Sequence, residues 1–237
     1  MKAAFTLFAL VALSGLARAD ATALFNGNDL SGWEGNPALW SVKEGAITGT
    51  TIAGEDPKKS TLKHNTFLVW KGGTVKDFEL TFKYRIVNGN SGIQYRSREL
   101  EKGADGPIVS GYQADFEAGK TYSGILYEER ARGILALRGE KVVIKDGADP
   151  KKANKEVVGS VGKSEEIQAQ IKSEDWNTYK VVAKGGHLQH FINGVQTVDV
   201  MDESAAGAKE GILAFQVHAG PPMTVQFKDV LLTKLDK

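Results

Sequence analysis

Asp77-Phe-Glu-Leu-Thr-Phe-Lys-Tyr-Arg-Ile86 is the stretch on which the fold turns. Phe78, Leu80, Phe82, Tyr84 and Ile86 alternate without a miss with Glu79, Thr81, Lys83 and Arg85. Side chains along a strand point to opposite faces in turn, so this segment reads as a strand with one buried and one wet face. The same alternation extends outward in both directions. It predicts strands at 40–42, 46–50, 67–70, 92–97, 111–117, 124–127, 133–137, 141–144, 177–184, 187–192, 196–200, 211–217 and 224–233. Lys184-Gly-Gly-His187 and Ile192-Asn-Gly-Val195 are hairpin connections, because Gly-Gly and Asn-Gly readily supply positive φ. Many short strands with 27 glycines between them point to an all-β sandwich or barrel. Residues 145–175 break the pattern: they are polar, lysine-rich and read as a long excursion between strands. Within it, 164–172 suits a short helix with Ser164 as N-cap and Glu165 and Glu166 in the first turn.

Residues 1–19 stand apart from this pattern. Lys2 supplies a positive start, Phe5 to Leu13 an apolar run, and Ala17-Arg18-Ala19 a small-residue cleavage signature. Together they read as a secretory signal peptide, with an apolar core too short to span a bilayer stably. Residues 20–237 are then one exported domain, periplasmic or extracellular. Removing Lys2 and Arg18 from 30 basic residues leaves 28 against 29 acidic, a net charge of −1. That balance offers no footprint for nucleic acid or an anionic membrane. There is no cysteine, which excludes a thiol nucleophile, a cysteine-held metal and a lipid anchor at the cleavage site.

Three distant strands carry an unusual polar face: Asn90-Ser-Gly-Ile-Gln-Tyr-Arg-Ser-Arg98, Gly111-Tyr-Gln-Ala-Asp-Phe116 and Ala214-Phe-Gln-Val-His218. One alternate set is apolar; the other holds Gln94, Arg96, Arg98, Gln113, Asp115, Gln216 and His218. If the strands share a sheet, amides, a guanidinium, a carboxylate and an imidazole converge, as a polyhydroxylated ligand would require. His218 ends its strand before Ala-Gly-Pro-Pro, where sandwich folds place ligand sites; a structural histidine is the plain alternative. Asp115 either binds sugar hydroxyls and orients a base, or pairs with Arg96 or Arg98. Glu128, in the charged run Tyr127-Glu-Glu-Arg-Ala-Arg-Gly133, is a candidate acid or base or a solvated loop residue. Trp70, followed by Lys71, could stack on a sugar ring or belong to the core, and Trp33, Trp40 and Trp176 read as core. His64, His187 and His190 lack any metal-ligand spacing and read as structural.

Taken in order, several segments resemble one family. They are Leu24-Phe-Asn-Gly-Asn-Asp-Leu-Ser-Gly-Trp33, Phe67-Leu-Val-Trp-Lys-Gly-Gly73, Asp77-Phe-Glu-Leu80, Asn90-Ser-Gly-Ile-Gln-Tyr-Arg96, Gly111-Tyr-Gln-Ala-Asp115, Trp176-Asn, Phe191-Ile-Asn-Gly194 and Gly211-Ile-Leu-Ala-Phe-Gln-Val-His218. The chain is similar across nearly all of 20–237 to the 3-keto-disaccharide hydrolase domain family, also described as 3-keto-glucoside 1,2-lyase/hydratase. The resemblance implies a concanavalin A-like jelly-roll sandwich whose concave sheet binds carbohydrate. It also implies a reaction. A ketone at C3 acidifies the C2 proton, a base removes it, the enolate expels the aglycone from C1, and water adds to the enone.

Carried over by position, the resemblance puts His218 or Glu128 as base, Arg96 on the enolate and Asp115 as orienting or ligating group. Gln94, Gln113, Gln216, Trp70 and Lys71 are the expected substrate contacts. It requires no cofactor outright and leaves room for a divalent metal ion. The competing reading is a non-catalytic, lectin-like carbohydrate-binding module. A plain glycosidase fits less well, for want of closely spaced catalytic glutamates on one strand.

Overall fold

A computed structural model describes residues 20–235. The strands of the first half are β1 (Thr22–Ala23), β2 (Trp33–Glu34), β3 (Trp40–Lys43), β4 (Ala46–Thr50), β5 (Thr66–Trp70), β6 (Phe78–Val87), β7 (Asn90–Gly103) and β8 (Gly106–Glu117). Then come β9 (Leu126–Glu129), β10 (Gly133–Ala136), β11 (Glu140–Lys145), β12 (Asn154–Ser160) and the helix α1 (Ser164–Gln168). The chain ends with β13 (Asn177–Lys184), β14 (His187–Ile192), β15 (Val195–Asp202), β16 (Ile212–Val217) and β17 (Thr224–Lys234).

Two sheets form. One has ten strands in the order β12-β11-β15-β14-β13-β6-β17-β4-β3, with β1 added to β17. The other has seven, in the order β10-β9-β8-β7-β16-β5-β2. They pack face to face as a jelly-roll sandwich. β6 lies between β13 and β17 and buries Phe78, Leu80, Phe82, Tyr84 and Ile86 while the intervening residues stay half-exposed, as its alternation predicts. Its aromatics knit the sheets together. Tyr84 stacks on Phe116 at 3.9 Å, and Phe82 meets Phe215 edge-on at 5.6 Å and Phe78 meets Tyr95 at 5.9 Å. Each such ring removed from water contributes about 1.5–3 kcal/mol. Trp33 and Trp40 are core residues, as expected; Trp176 lies beneath Lys228 and Arg85 on the solvent side.

The turns at Gly185 and at Asn193-Gly194 have positive φ, as tight hairpins require. The 145–175 excursion is more ordered than its composition suggests. It contains β12, which pairs antiparallel with β11 along the sheet edge. All seven residues of β12 are exposed, so no apolar alternation marks it. The helix stops at Gln168 rather than 172, and its N-cap is Lys163, with no side-chain cap, rather than Ser164. The signal-peptide reading concerns residues outside those described. Among the described residues, no helix is long and apolar enough to cross a membrane.

The β7–β8 hairpin positions the site. Its register slips between Tyr95 and Arg98 and again between Glu99 and Glu101, and these bulges bend its outer half. The tip folds over β5, where Thr66 Oγ1 donates to the carbonyls of Asp105 at 3.0 Å and Pro107 at 3.2 Å. Phe67, Val69, Val109 and Ala214 are thereby buried on the outer side of the seven-stranded sheet.

His190 is structural, as expected. It is fully buried, with Nε2 3.0 Å from the Tyr95 hydroxyl and Nδ1 3.3 Å from that of Tyr179. Burial disfavours its charged form and pushes its pKa down to about 3. In the unfolded chain the ring protonates near 6.5, so this neutral histidine supports the fold above that pH. Its contribution fades as pH falls from 6.5 toward 3. Stability is expected to drop by about 2–3 kcal/mol between pH 7 and 4.5 from this group alone. An NMR titration of the native imidazole checks it; a midpoint near the ordinary value would overturn the account.

Candidate functional site

The outer face of the seven-stranded sheet is roofed at one end by the hairpin tip. At the other it opens into a cleft of about 480 Å³, lined by Asn65, Asn90, Gln113, Asp115, Glu117, Tyr122, Tyr127, Glu129 and His218, among others. Register explains who meets whom. Gln94 pairs with Gln113 and Gly92 with Asp115 across β7 and β8, while Gln113 pairs with Tyr127 and Gly111 with Glu129 across β8 and β9. Partners directly opposite point to one side, so these polar residues form a continuous floor. Gly92 is needed there: a Cβ would come within 2.6 Å of Gln113 Cγ, and its absence lets the glutamine lie across the strand.

The floor is a chain of amides ending on two carboxylates. Gln113 Nε2 donates to Asp115 Oδ1 at 2.7 Å, and Asn90 Nδ2 to Asp115 Oδ2 at 3.1 Å. Gln216 Nε2 donates to Gln113 Oε1 at 3.0 Å and to Glu129 Oε2 at 3.3 Å, and the Gln94 and Gln113 amides meet at 2.7 Å. Asn65 Nδ2 also reaches Glu129 Oε2 at 3.3 Å, while the Ala219 N–H donates to Asn65 Oδ1 at 2.9 Å. That last contact ties the turn after His218 to the floor.

Among the described residues no lysine or arginine lines this cleft. Its electrostatics follow. Asp115 is 5% exposed, and burial pushes its pKa up to about 7, against the pull of the Asn90 and Gln113 hydrogen bonds. Glu129 is raised by burial too, with its bonds to Asn65 and Gln216 opposing. His218 is shifted down by burial and is therefore neutral around pH 7. No three His, Asp or Glu side chains come together as a metal ion needs, among the described residues. Asp115 and Glu129 each already accept amide donors, so the donor set does not fit the divalent ion that the resemblance leaves open.

Of the residues expected from the sequence, Asp115, Gln113, Gln94, Gln216 and His218 share this face. Four do not join them. Glu128 points to the opposite side of β9, because it pairs with the inward-facing Tyr112. There it accepts from Arg132 Nε at 2.5 Å and Nη2 at 3.1 Å, and Arg132 in turn binds Asp202 at 2.7 Å. Arg96 has φ +47° at the first bulge, which swings it off the floor. Its buried guanidinium donates to the carbonyls of Lys76 at 2.7 Å and Gly185 at 2.6 Å and to Asp77 Oδ1 at 2.9 Å. It neither pairs with Asp115 nor reaches the cleft. Trp70 packs against the core beside Trp33, and Lys71 pairs with Glu34 at 3.3 Å; neither lines the cleft.

Sequence reasoning missed Glu129, Asn65, Asn90 and Tyr127. The signal for Glu129 was present: once Leu126 is placed facing in, period two puts 127 and 129 out. The expected strand at 124–127 runs instead over Leu126–Glu129, and Glu128, put forward from its charged run and from the resemblance, lies on its inward face.

Solved structures share the architecture. A Parabacteroides distasonis protein provisionally described as a glycosyl hydrolase is 19% identical, at a TM-score of 0.55, over 91% of this chain and 94% of its own. A Bacillus subtilis protein of unknown function with a galectin-like fold gives a TM-score of 0.58 at 11% identity, over 92% and 96%. The carbohydrate-binding module CBM66 from Bacillus subtilis gives 0.50 at 13%, over 86% and 96%. Comparison with curated proteins found no match. Fold and site together define a concanavalin A-like jelly-roll sandwich with an acidic, amide-floored cleft.

Residues 20–233 match the model of the 3-keto-alpha-glucoside-1,2-lyase-like domain, and the chain belongs to that family. Membership gives it a carbohydrate-related function.

Proposed function

We propose that this chain is an exported enzyme that cleaves 3-keto-glucosides in the amide-floored cleft, by elimination followed by hydration. One observation carries the reading. Asp115, a carboxylate with no cationic partner in the cleft, holds its proton with a pKa near 7, where a general base works best.

Asp115 takes the C2 proton, and the electron pair of that bond forms the enolate of the C3 ketone. With Arg96 turned away, the neutral imidazole of His218 is left to donate a hydrogen bond to the C3 oxygen. The enolate breaks the C1–O bond, and the protonated form of Glu129, whose pKa burial raises, supplies the proton for the departing aglycone oxygen. Water then adds across the enone. Its hydroxyl goes to C1, its proton to Glu129, and Asp115, after exchanging its proton with solvent, protonates C2.

Incubation with a 3-keto-aryl glucoside in deuterated water tests the route. Elimination and hydration put deuterium at C2, whereas direct hydrolysis leaves C2 unlabelled. Binding without turnover would establish the lectin-like module instead. His218→Ala is expected to lower kcat by about 10²–10³-fold with a smaller change in KM, since the bond to the C3 oxygen strengthens as charge develops. Unchanged kcat removes His218 from the mechanism. Export is tested by N-terminal sequencing of secreted protein, with Asp20 expected first.

A further inference from the structure

A second cavity, of about 530 Å³, lies beside the cleft, and Glu117 lines both. It is walled by the end of β6, the 117–120 stretch after β8, and the segment from α1 to residue 174. Two buried polar atoms of its lining have no partner: the hydroxyl of Tyr84 and Oε1 of Gln168. Tyr84 is 1% exposed, and its desolvated phenol is pushed well above its ordinary pKa, so it is a neutral donor. A buried hydroxyl or amide oxygen left unpaired costs free energy, and native proteins rarely leave one so without a ligand or water.

The chemistry of the lining selects the class of occupant. Tyr84 offers a donor and Gln168 an acceptor, and hydroxyl groups, which both accept and donate, can satisfy each. Ile86, Ala118 and Ile171 supply apolar wall. The one buried guanidinium, Arg138, is engaged by main-chain carbonyls, at 2.7 Å to Ser123, 2.8 Å to Lys120 and 3.1 Å to Ser164, so no anion is called for. The volume falls within the range of small-molecule pockets. Glu117, whose Oε1 accepts the N–H groups of Thr121 at 2.6 Å and Tyr122 at 3.0 Å, holds the dividing loop in place.

We propose that this cavity is a second saccharide-binding site, taking one neutral sugar ring through Tyr84 and Gln168. The ligand class rests on the carbohydrate reading of the cleft; the cavity and its unpartnered atoms do not.

Titration of the mature chain with trehalose, by calorimetry and by crystal soaking, tests it. Two sites are expected in the wild type and in Asp115→Asn. Tyr84→Phe with Gln168→Met is expected to weaken the second site at least tenfold and leave turnover of a small 3-keto-aryl glucoside unchanged. Without sugar, Tyr84→Phe should melt no lower than wild type, because the hydroxyl it removes has no partner. Crystals showing only water in the cavity, or unchanged binding by the double variant, overturn the second site and leave the cleft untouched. Loss of all sugar binding in wild type would overturn both.

Discussion

Asp115→Asn is expected to cut turnover of a 3-keto-glucoside by about 10²–10⁴-fold while raising stability at pH 8. The two effects have one cause. In the unfolded chain Asp115 ionises near 3.8, and in the fold only near 7. A raised folded pKa means that the native state binds the proton more tightly. Asp115 therefore supports the fold fully below about 3.8, and its contribution is lost as pH rises through 7. Above 7 the buried charge costs on the order of 4 kcal/mol, of which an uncharged amide should recover about 2–4. The wild-type kcat/KM should fall on the acid side with a midpoint near 7, since the base must be ionised to act. Urea unfolding at pH 5 and pH 8 reads the stability effect, and turnover measured across pH reads the catalytic one. An Asn variant that turns over normally would remove Asp115 from the chemistry.

Glu128→Ala should do the reverse, costing about 3–5 kcal/mol of stability and little of the activity per folded molecule. Arg132 lies within a shell of Glu128, Asp202 and Ser204, with the Tyr112 hydroxyl bonded to Asp202 on the same side. Removing Glu128 strips the guanidinium, 4% exposed, of its bonds at Nε and Nη2 to that carboxylate and leaves Asp202 as its one ionic partner. The measurement is the unfolding midpoint, together with turnover corrected for the folded fraction. Glu129→Gln, one residue away, is expected to retain the fold and lose turnover. Equal behaviour of the two variants would erase the distinction between the faces of β9.

The contrast shows what was legible in the sequence. Alternation in β6 was unambiguous because that strand buries one face; in β7, β8 and β16 both faces are buried, and it was the contrast of apolar and polar side chains that put Gln94, Gln113, Asp115, Gln216 and His218 on a common surface. Three kinds of information were not in the pattern. A bulge at Arg96 reverses a side chain without changing residue spacing. A wholly exposed edge strand such as β12 has no buried face to advertise itself. The amides that hold the carboxylates, Asn65 and Asn90, come from strand margins 25 residues apart in sequence, and only the pairing of β5, β16, β7 and β8 brings them to one cleft. The same limit applies to the second cavity, whose unpartnered atoms come from a core strand and a five-residue helix.

The bent β7–β8 hairpin sets a rule of access. Where its tip lies on β5, the outer sheet face ends in a wall, with Phe67 and Val109 sealed beneath it. A groove closed at one end cannot be threaded by the interior of a long polymer. On the proposed reaction, a substrate would reach Asp115 from the open side by its terminal ring, which favours small glycosides and chain ends over mid-chain linkages.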